Sequence, residues 1–193
     1  MEAILLAAGS STRLGQCKLH VTLWGEPLIE RMCRLVAGCL PVTVVLREGD
    51  ARSAERLGRV VARFPVRSVT VDEHVPQSVS IRRGVEATSS GDLLIALADQ
   101  YRLRRRDLKS LLHRFSDNPE LPCAAAYDNI VGVPAAFPAS WKSKLIRLDA
   151  DAGAGRLLRG SPIHTIDMPQ AAFDLDTPAD LEALREFEEC TEA

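Results

Sequence analysis

The chain lacks the marks of several protein classes. Its five cysteines (Cys17, Cys33, Cys39, Cys123 and Cys190) are odd in number and scattered, with no CxxC pair. That makes neither a disulfide framework nor a zinc knuckle, and it points to a reducing, cytoplasmic setting. No apolar stretch approaches the ~20 residues that a bilayer-spanning helix needs, so no membrane partner is expected. The N-terminus has no basic region ahead of its first apolar run, which argues against a signal peptide. No charge sign prevails: 24 Lys and Arg against 26 Asp and Glu leave a net charge of -2. This removes the electrostatic footprint expected of a nucleic-acid or anionic-membrane binder. The four histidines (His20, His74, His113 and His164) show no metal-ligand spacing, and no Cys–His or His–carboxylate pattern suggests nucleophilic catalysis. Neither GxGxxG nor a P-loop is present.

What is present is alternation. Residues 1–193 suit one domain large enough to bury a core without metal or disulfide help. "AILLA" (Ala3–Ala7) reads as a strand buried on both faces. Pro27 sits where a first helical turn tolerates it, and Leu28, Ile29, Met32, Leu35 and Val36 follow at helical spacing. "VTVVL" (Val42–Leu46) is a second strand. Asp50 caps a helix with Ala54, Leu57, Val61 and Phe64 on its apolar face. Val66–Val71 alternates as a third strand, and a short helix covers Ile81 to Ala87. "LLIALA" (Leu93–Ala98) is the most hydrophobic run and ends at Asp99. Leu108, Leu111, Leu112 and Phe115 share one helical face.

Beyond this point the pattern is less regular. Cys123–Tyr127 and Asn129–Val133 can pair across Asp128. Trp141, Leu145 and Leu148 suggest a helix, "GRLLRG" a short one, and "PIHTIDM" a strand. Thr177-Pro178-Ala179-Asp180 opens a C-terminal helix as a capping box, with Leu181, Leu184 and Phe187 inward. The alternation predicts an α/β domain around a mostly parallel sheet.

In open α/β sheets ligands bind beyond the carboxyl ends of the strands. Two features fall there. After the first strand, "AAGSSTRLGQCK" places small residues beside Arg13 and Lys18. Backbone N–H groups of such a loop can approach phosphate oxygens while the two cations neutralise them; the alternative is a surface turn with two solvated cations. Cys17 lies in the same loop, as a reactive thiol or simply a small loop residue. After "LLIALA", Asp99 is poorly placed for a core and well placed for a cation in a cleft. Magnesium favours one or two carboxylates plus phosphate oxygens. "FDLDTP" offers Asp174 and Asp176, two residues apart and on one side of an extended segment, and either could be the second ligand. Asp180 reads as a helix cap.

These segments together resemble a known family. "LLAAGSSTRLGQCKLHVTLWGEPLIER" is similar to the LAAGxSxRMGxxK signature and GxPL helix of the MobA-like nucleotidyltransferases. "ALADQYRL" resembles their GDQPL segment, "QSVSIRRGV" their GxxxSLxxGL, "DADAGAGRLL" their GDxGARxLL, and "FDLDTPADLEAL" their DIDTPEDL. The matches keep the family's order and span nearly the whole chain, with most likeness to its molybdenum cofactor cytidylyltransferases. The resemblance implies a three-layer, Rossmann-like nucleotide-diphospho-sugar transferase fold. It implies transfer of CMP from CTP, or of a nucleotidyl group from another NTP, to the terminal phosphate of a small acceptor such as molybdopterin. Pyrophosphate would leave and Mg²⁺ would assist, with a target molybdoenzyme or chaperone as an implied partner.

Carried over by residue, Leu6, Ala7, Ala8, Gly9, Ser10 and Ser80 would line the nucleotide. Arg13 and Lys18 would meet the triphosphate and serve catalysis with Asp99. Asp99 and Asp176 would hold the metal, with Asp174 beside them. Leu-Ala-Ala-Gly, with Ala8 at the discriminating place, resembles cytidylyl rather than guanylyl members, which tend to carry Leu-Ala-Gly-Gly.

The chain departs from the pattern mainly on the acceptor side. Ala98 replaces the glycine before the aspartate, Tyr101 the proline of GDQP, Pro76 a glycine and Val133 the histidine of GHP. One extra residue precedes Arg156. Two alternatives therefore accompany the expected activity: a sugar-phosphate or other small-phosphate nucleotidyltransferase, and a non-catalytic nucleotide-binding protein of the same fold. The basic run Arg102, Arg104, Arg105 and Arg106 reads as a solvated turn before a helix, or as a clamp for an anion or acidic partner.

Overall fold

The computed structural model describes residues 1–192 other than 10, 12, 90 and 150–152, with side chains up to residue 188. In chain order the elements begin with β1 (Glu2–Ala7), the two-residue strands β2 (Thr22–Leu23) and β3 (Glu26–Pro27), α1 (Leu28–Ala37), β4 (Val42–Arg47), α2 (Ala51–Val61), β5 (Val66–Val71) and α3 (Gln77–Ala87). They continue with β6 (Leu93–Leu97), α4 (Arg105–Ser116), β7 (Cys123–Tyr127), β8 (Ile130–Phe137), α5 (Lys142–Ile146), α6 (Ala154–Arg159), β9 (His164–Asp167) and α7 (Pro178–Glu192).

Side chains of a strand alternate between faces, and in β1 that alternation divides the protein into layers. Ala3, Leu5 and Ala7 join a core cluster with α1, α2, α4 and α7, through residues such as Met32, Leu57, Leu108 and Leu184. Ile4 and Leu6 face the opposite cluster, built with Ile81 and Val85 of α3, Leu145 of α5 and Leu158 of α6. Both faces of the sheet are therefore covered, which is why the central strands read as near-continuous apolar runs. The result is a three-layer α/β fold on a seven-stranded sheet ordered β5-β4-β1-β6-β8-β7-β9. Strands β5, β4, β1 and β6 run parallel, β8 is antiparallel to both β6 and β7, and β9 pairs parallel with β7.

Helix α3 lies close on this sheet, and Gly84 makes that possible. A methyl at Gly84 would meet Ile4 Cγ2 at 2.5 Å and Val45 Cγ2 at 3.1 Å. Both neighbours are β-branched side chains on central strands, with little freedom to give way. Gly84→Ala is expected to lower stability by about 1–3 kcal/mol, the usual range for overpacking. A urea midpoint equal to that of the unmodified protein would show that the helix shifts freely.

Several elements differ from the sequence reading. Pro27 ends a small hairpin and precedes α1 rather than occupying its first turn. The hairpin turns at Trp24 and Gly25, both with positive φ (49° and 71°), the geometry of a primed two-residue turn. β8 runs on past Val133 to Phe137, because Val133 and Pro134 fall in a bulge between the pairs Ala125↔Gly132 and Ala124↔Ala135. A bulge tolerates the missing proline donor. Trp141 ends a 3-10 turn, α5 covers only Lys142–Ile146, and Leu148 packs from beyond it. α3 begins four residues earlier than expected, at Gln77.

Candidate active site

Backbone bonds at the carboxyl ends of β1 and β6 assemble the site. Ala98 donates its N–H to the Leu6 carbonyl at 3.0 Å, which sets Asp99 beside Ala7, Ala8 and Gly9. The Asp99 carbonyl accepts from Leu175 N–H at 3.2 Å, and Gln100 bridges Asp174. Two segments some 75 residues apart in sequence thus lie side by side, bringing Asp174 and Asp176 to Asp99. Gln100, fully buried, secures this junction by donating from Nε2 to the Val133 and Ala171 carbonyls, each at 2.9 Å. The Asp180 cap fixes the far side: its Oδ2 accepts from Asp176 N–H, Thr177 N–H and the Thr177 hydroxyl at 3.0, 2.7 and 2.8 Å.

The cations enter from the loop after β1. Lys18 stands on a single 3-10 turn (Lys18–His20), and its N–H donates to Ser11 Oγ at 3.0 Å. Its ammonium lies 2.5 Å from Asp99 Oδ2 and 2.6 Å from Asp176 Oδ1, with only 9% of the side chain exposed. Arg13 is mostly solvated and reaches Asp176 Oδ2 at 2.8 Å. Burial alone would depress the Lys18 ammonium, but Asp99 and Asp176 outweigh it and hold its pKa above the ordinary lysine value.

A cavity of about 400 Å³ opens over this group. Leu6, Ala7, Ala8, Gly9, Arg13, Lys18, Ser80, Asp99, Asp174 and Asp176 all line it; Ser10 lies outside the described residues. Leu19, Val75, Gln77, Leu97 and Ala98 complete the wall, and none of these five was read from the sequence as a site residue. The missing Cβ of Gly9 would meet nothing nearer than Lys18 Cε at 4.0 Å. Glycine is therefore not forced there by packing, and it keeps the loop surface open to the cavity.

Asp99 Oδ1 and Asp174 Oδ1 are buried without a hydrogen-bond partner among the described residues. Two orphaned carboxylate oxygens beside Asp176 make a hard, anionic donor set of the kind Mg²⁺ or Mn²⁺ takes. The residues present therefore suit a divalent cation. Burial first, then the charges of Asp99 and Asp176, push Asp174 up from 3.8 to about 7 against the pull of Lys18.

That shift has a measurable consequence. Between pH 4 and 7 the folded protein holds a proton on Asp174 that the unfolded chain has released. Stability in chelator is therefore expected to fall as pH rises through this window, by up to ~1.4 kcal/mol per unit, and to level off above it. Asp174→Asn removes that component and melts above the unmodified protein at pH 8. Parallel melting curves from pH 5 to 8 would overturn the assignment.

The basic run is not uniformly solvated. Arg102 covers the rings of Phe173, Phe187 and Tyr101, with its guanidinium carbon 3.7, 4.9 and 5.6 Å from their centroids. The guanidinium is stacked on aromatic faces, which corrects the reading of Arg102 as part of a solvated turn. Arg104, Arg105 and Arg106 are exposed as expected, but Arg104 is the N-cap of α4 and Arg105 and Arg106 open its first turn rather than precede the helix. Tyr101, which replaces a proline in the resemblance, is buried against Phe173 and Phe187.

Carboxylates and cations thus gather at the strand ends of a doubly covered, mostly parallel sheet, where open α/β sheets take their ligands. Over residues 3–167 the chain matches the MobA-like NTP transferase domain, and it belongs to that family. A curated relative, a probable molybdenum cofactor guanylyltransferase of Trichormus variabilis, is 37% identical over 46 residues, or 24% of this chain and 22% of the relative. The matched stretch thus spans about a fifth of that relative's length. A nucleotidyl transferase from Methanothermobacter superposes with a TM-score of 0.79 at 23% identity, covering 98% of each chain. A Mycobacterium tuberculosis protein solved as a complex with manganese superposes at 0.73 and 20% identity, covering 96% of this chain and 97% of its own. At these identities the superpositions show the shared fold. Among the described residues no helix is long and apolar enough to cross a membrane.

Proposed function

We propose that the protein transfers a nucleotidyl group from an NTP to the terminal phosphate of a small acceptor, with CTP as donor and molybdopterin as acceptor. The observation that carries this reading is the Lys18 ammonium held between Asp99 and Asp176 beneath the open Gly9 loop. Such transfer needs positioning and charge neutralisation more than a protein nucleophile. An acceptor phosphate oxygen attacks the α-phosphorus, a new P–O bond forms, and the bond to the β-phosphate breaks to release pyrophosphate. The acceptor phosphate is already ionised near neutral pH, so no strong general base is required.

The Ala7-Ala8-Gly9 backbone and Ser80 would orient the nucleotide, while Lys18 and Arg13 would neutralise the triphosphate. Asp99 and Asp176, with Asp174, would hold Mg²⁺, which when bound offsets charge on the phosphate oxygens. The manganese complex of the mycobacterial neighbour is in keeping with a divalent ion. A second cavity of about 320 Å³ adjoins the first through Leu6, Gln77 and Leu97, and carries Arg156 and Arg159. It is the place for a phosphorylated acceptor. Val133 lies on its wall, so the acceptor meets an apolar side chain where the resemblance would put histidine.

The donor base is the sharper test. Ala8 puts a methyl on the loop beside the base, which a pyrimidine accommodates better than guanine. The curated relatives bear guanylyl names, which supports GTP as the second reading. One methyl and a shifted backbone contact discriminate by roughly 1–3 kcal/mol, or about ten- to a few-hundredfold in kcat/KM. Pyrophosphate release with molybdopterin and equal CTP and GTP is expected to favour CTP, and Ala8→Gly to narrow the gap. A wild-type preference for GTP would overturn the cytidylyl reading and leave nucleotidyl transfer standing.

A further inference from the structure

We propose that Cys17, His20 and Asp50 form a second metal site, chemically distinct from the carboxylate group, that takes a borderline transition cation such as Zn²⁺ and braces the turn bearing Lys18. The thiol sulfur, an imidazole nitrogen and a carboxylate oxygen of these residues all lie within 4.8 Å of one another. Cys17 is the N-cap of the 3-10 turn and His20 its last residue. Side chains three apart on such a turn fall on one side, so both ligands project together. Asp50 comes from the N-terminus of α2, where its Oδ1 accepts from Ser53 N–H at 3.0 Å. His20 Nε2 is 3.1 Å from Ser53 Oγ and 3.8 Å from Asp50 Oδ1.

The site has the chemistry for the ion. A tetrahedral Zn²⁺ with bonds of about 2.0–2.3 Å sets its ligands about 3.3–3.8 Å apart. Closure from the observed spacing asks side-chain torsions for about an ångström, within their reach without breaking the turn. The His20 and Asp50 side chains are only 12% and 7% exposed, so the ligands are already largely desolvated. Burial and the charges of Arg52, Arg56 and Arg47 hold the His20 imidazole below its usual pKa despite Asp50. With the thiol proton released to solvent, a thiolate and a carboxylate balance the 2+ charge, so the loaded site is neutral beside those arginines.

A sulfur–nitrogen–oxygen set favours Zn²⁺ or Co²⁺ over Mg²⁺, whereas the three aspartates offer the oxygen ligands that suit Mg²⁺. With Mg²⁺ in excess at the aspartates, the thiolate-bearing site is the one that distinguishes a transition cation by ligand type. Because Cys17 precedes Lys18 directly, an ion at this site ties the Lys18 turn to the start of α2.

Cobalt separates this site from the transfer chemistry. Untagged full-length protein, stripped with chelator and held in excess Mg²⁺, is titrated with Co²⁺. One equivalent is expected to bind with a thiolate-to-cobalt absorption band that Zn²⁺ abolishes by displacement, and Zn²⁺ is expected to raise the Tm. Cys17→Ser is expected to remove the band. Asp50→Asn is expected to weaken Co²⁺ by about a hundredfold or more, since even outer-shell partners are worth 10–100-fold. Asparagine still caps α2 through its side-chain oxygen, so a folded Asp50→Asn protein tests ligation alone. Cys39→Ser and Cys190→Ser are expected to keep the band. Absence of the band in the unmodified protein, its survival in Cys17→Ser, or its loss to Mg²⁺ would overturn the proposal.

Discussion

Asp99→Asn is expected to reduce nucleotidyl transfer by about a hundredfold or more while leaving the protein folded. Removing one charge-stabilising contact at a transition state typically costs that much. The fold is insulated because the bonds that place residue 99 are made by backbone: Ala98 N–H to Leu6, and the Asp99 carbonyl to Tyr101 and Leu175 N–H. Lys18 keeps Asp176 as its partner in this variant. Asp174 loses one of the charges that raise its pKa, so the variant is not destabilised by crowding. Pyrophosphate release at saturating Mg²⁺, alongside a melting curve, separates the two effects. Near-normal turnover would remove Asp99 from the mechanism.

Asp99 was legible in the sequence because it ends the most hydrophobic run in the chain, and a carboxylate there has no structural partner in the strand itself. The parallel core was legible for a related reason: strands buried on both faces leave apolar runs, continuous in Ala3–Ala7 and Leu93–Leu97 and broken only by Thr43 in Val42–Leu46. The features that escaped depend on residues distant in sequence or on backbone conformation. Trp24-Gly25 turns with two positive φ angles and carries no Asn-Gly or Asp-Gly signal. Pro134 looks like a strand terminator until the bulge opposite Ala124 and Ala125 is seen. Arg102 appears solvated until Phe173 and Phe187 come beneath it from 71 and 85 residues further along. Cys17 and His20 have no apparent ligand partner until α2 brings Asp50 to them.

Lys18→Ala shows the same limit in energetic form. Read from sequence, a loop lysine loses nucleotide affinity on truncation with little effect on stability. The structure changes the second half of that expectation. Lys18 is buried and neutralises Asp99 and Asp176, with Asp174 also in reach of its field. Without the ammonium, three carboxylates face one another across one end of the sheet. Breaking a fully buried pair costs about 3–5 kcal/mol. Because Asp176 is 35% exposed, solvent screens part of this, and about 1–3 kcal/mol is expected at pH 8 in chelator.

The sign of the pH dependence follows from Asp174. Lys18 lowers its pKa, so the variant carries it further up, and protonation as the pH falls from 8 relieves the repulsion. The stability gap to the unmodified protein should therefore shrink at pH 6. Added Mg²⁺ should shrink it at pH 8. Lys18→Met retains an apolar stem and removes only the charge, so it should show the same gap if electrostatics, not packing, is the cause. In both variants NTP affinity by calorimetry should fall about tenfold or more, the equivalent of ~1.4 kcal/mol for one lost charge-assisted contact. Unchanged NTP affinity would return the Gly9 loop to a plain turn. A Met variant as stable as the unmodified protein at pH 8 would show that the Lys18 pairs contribute no net stability.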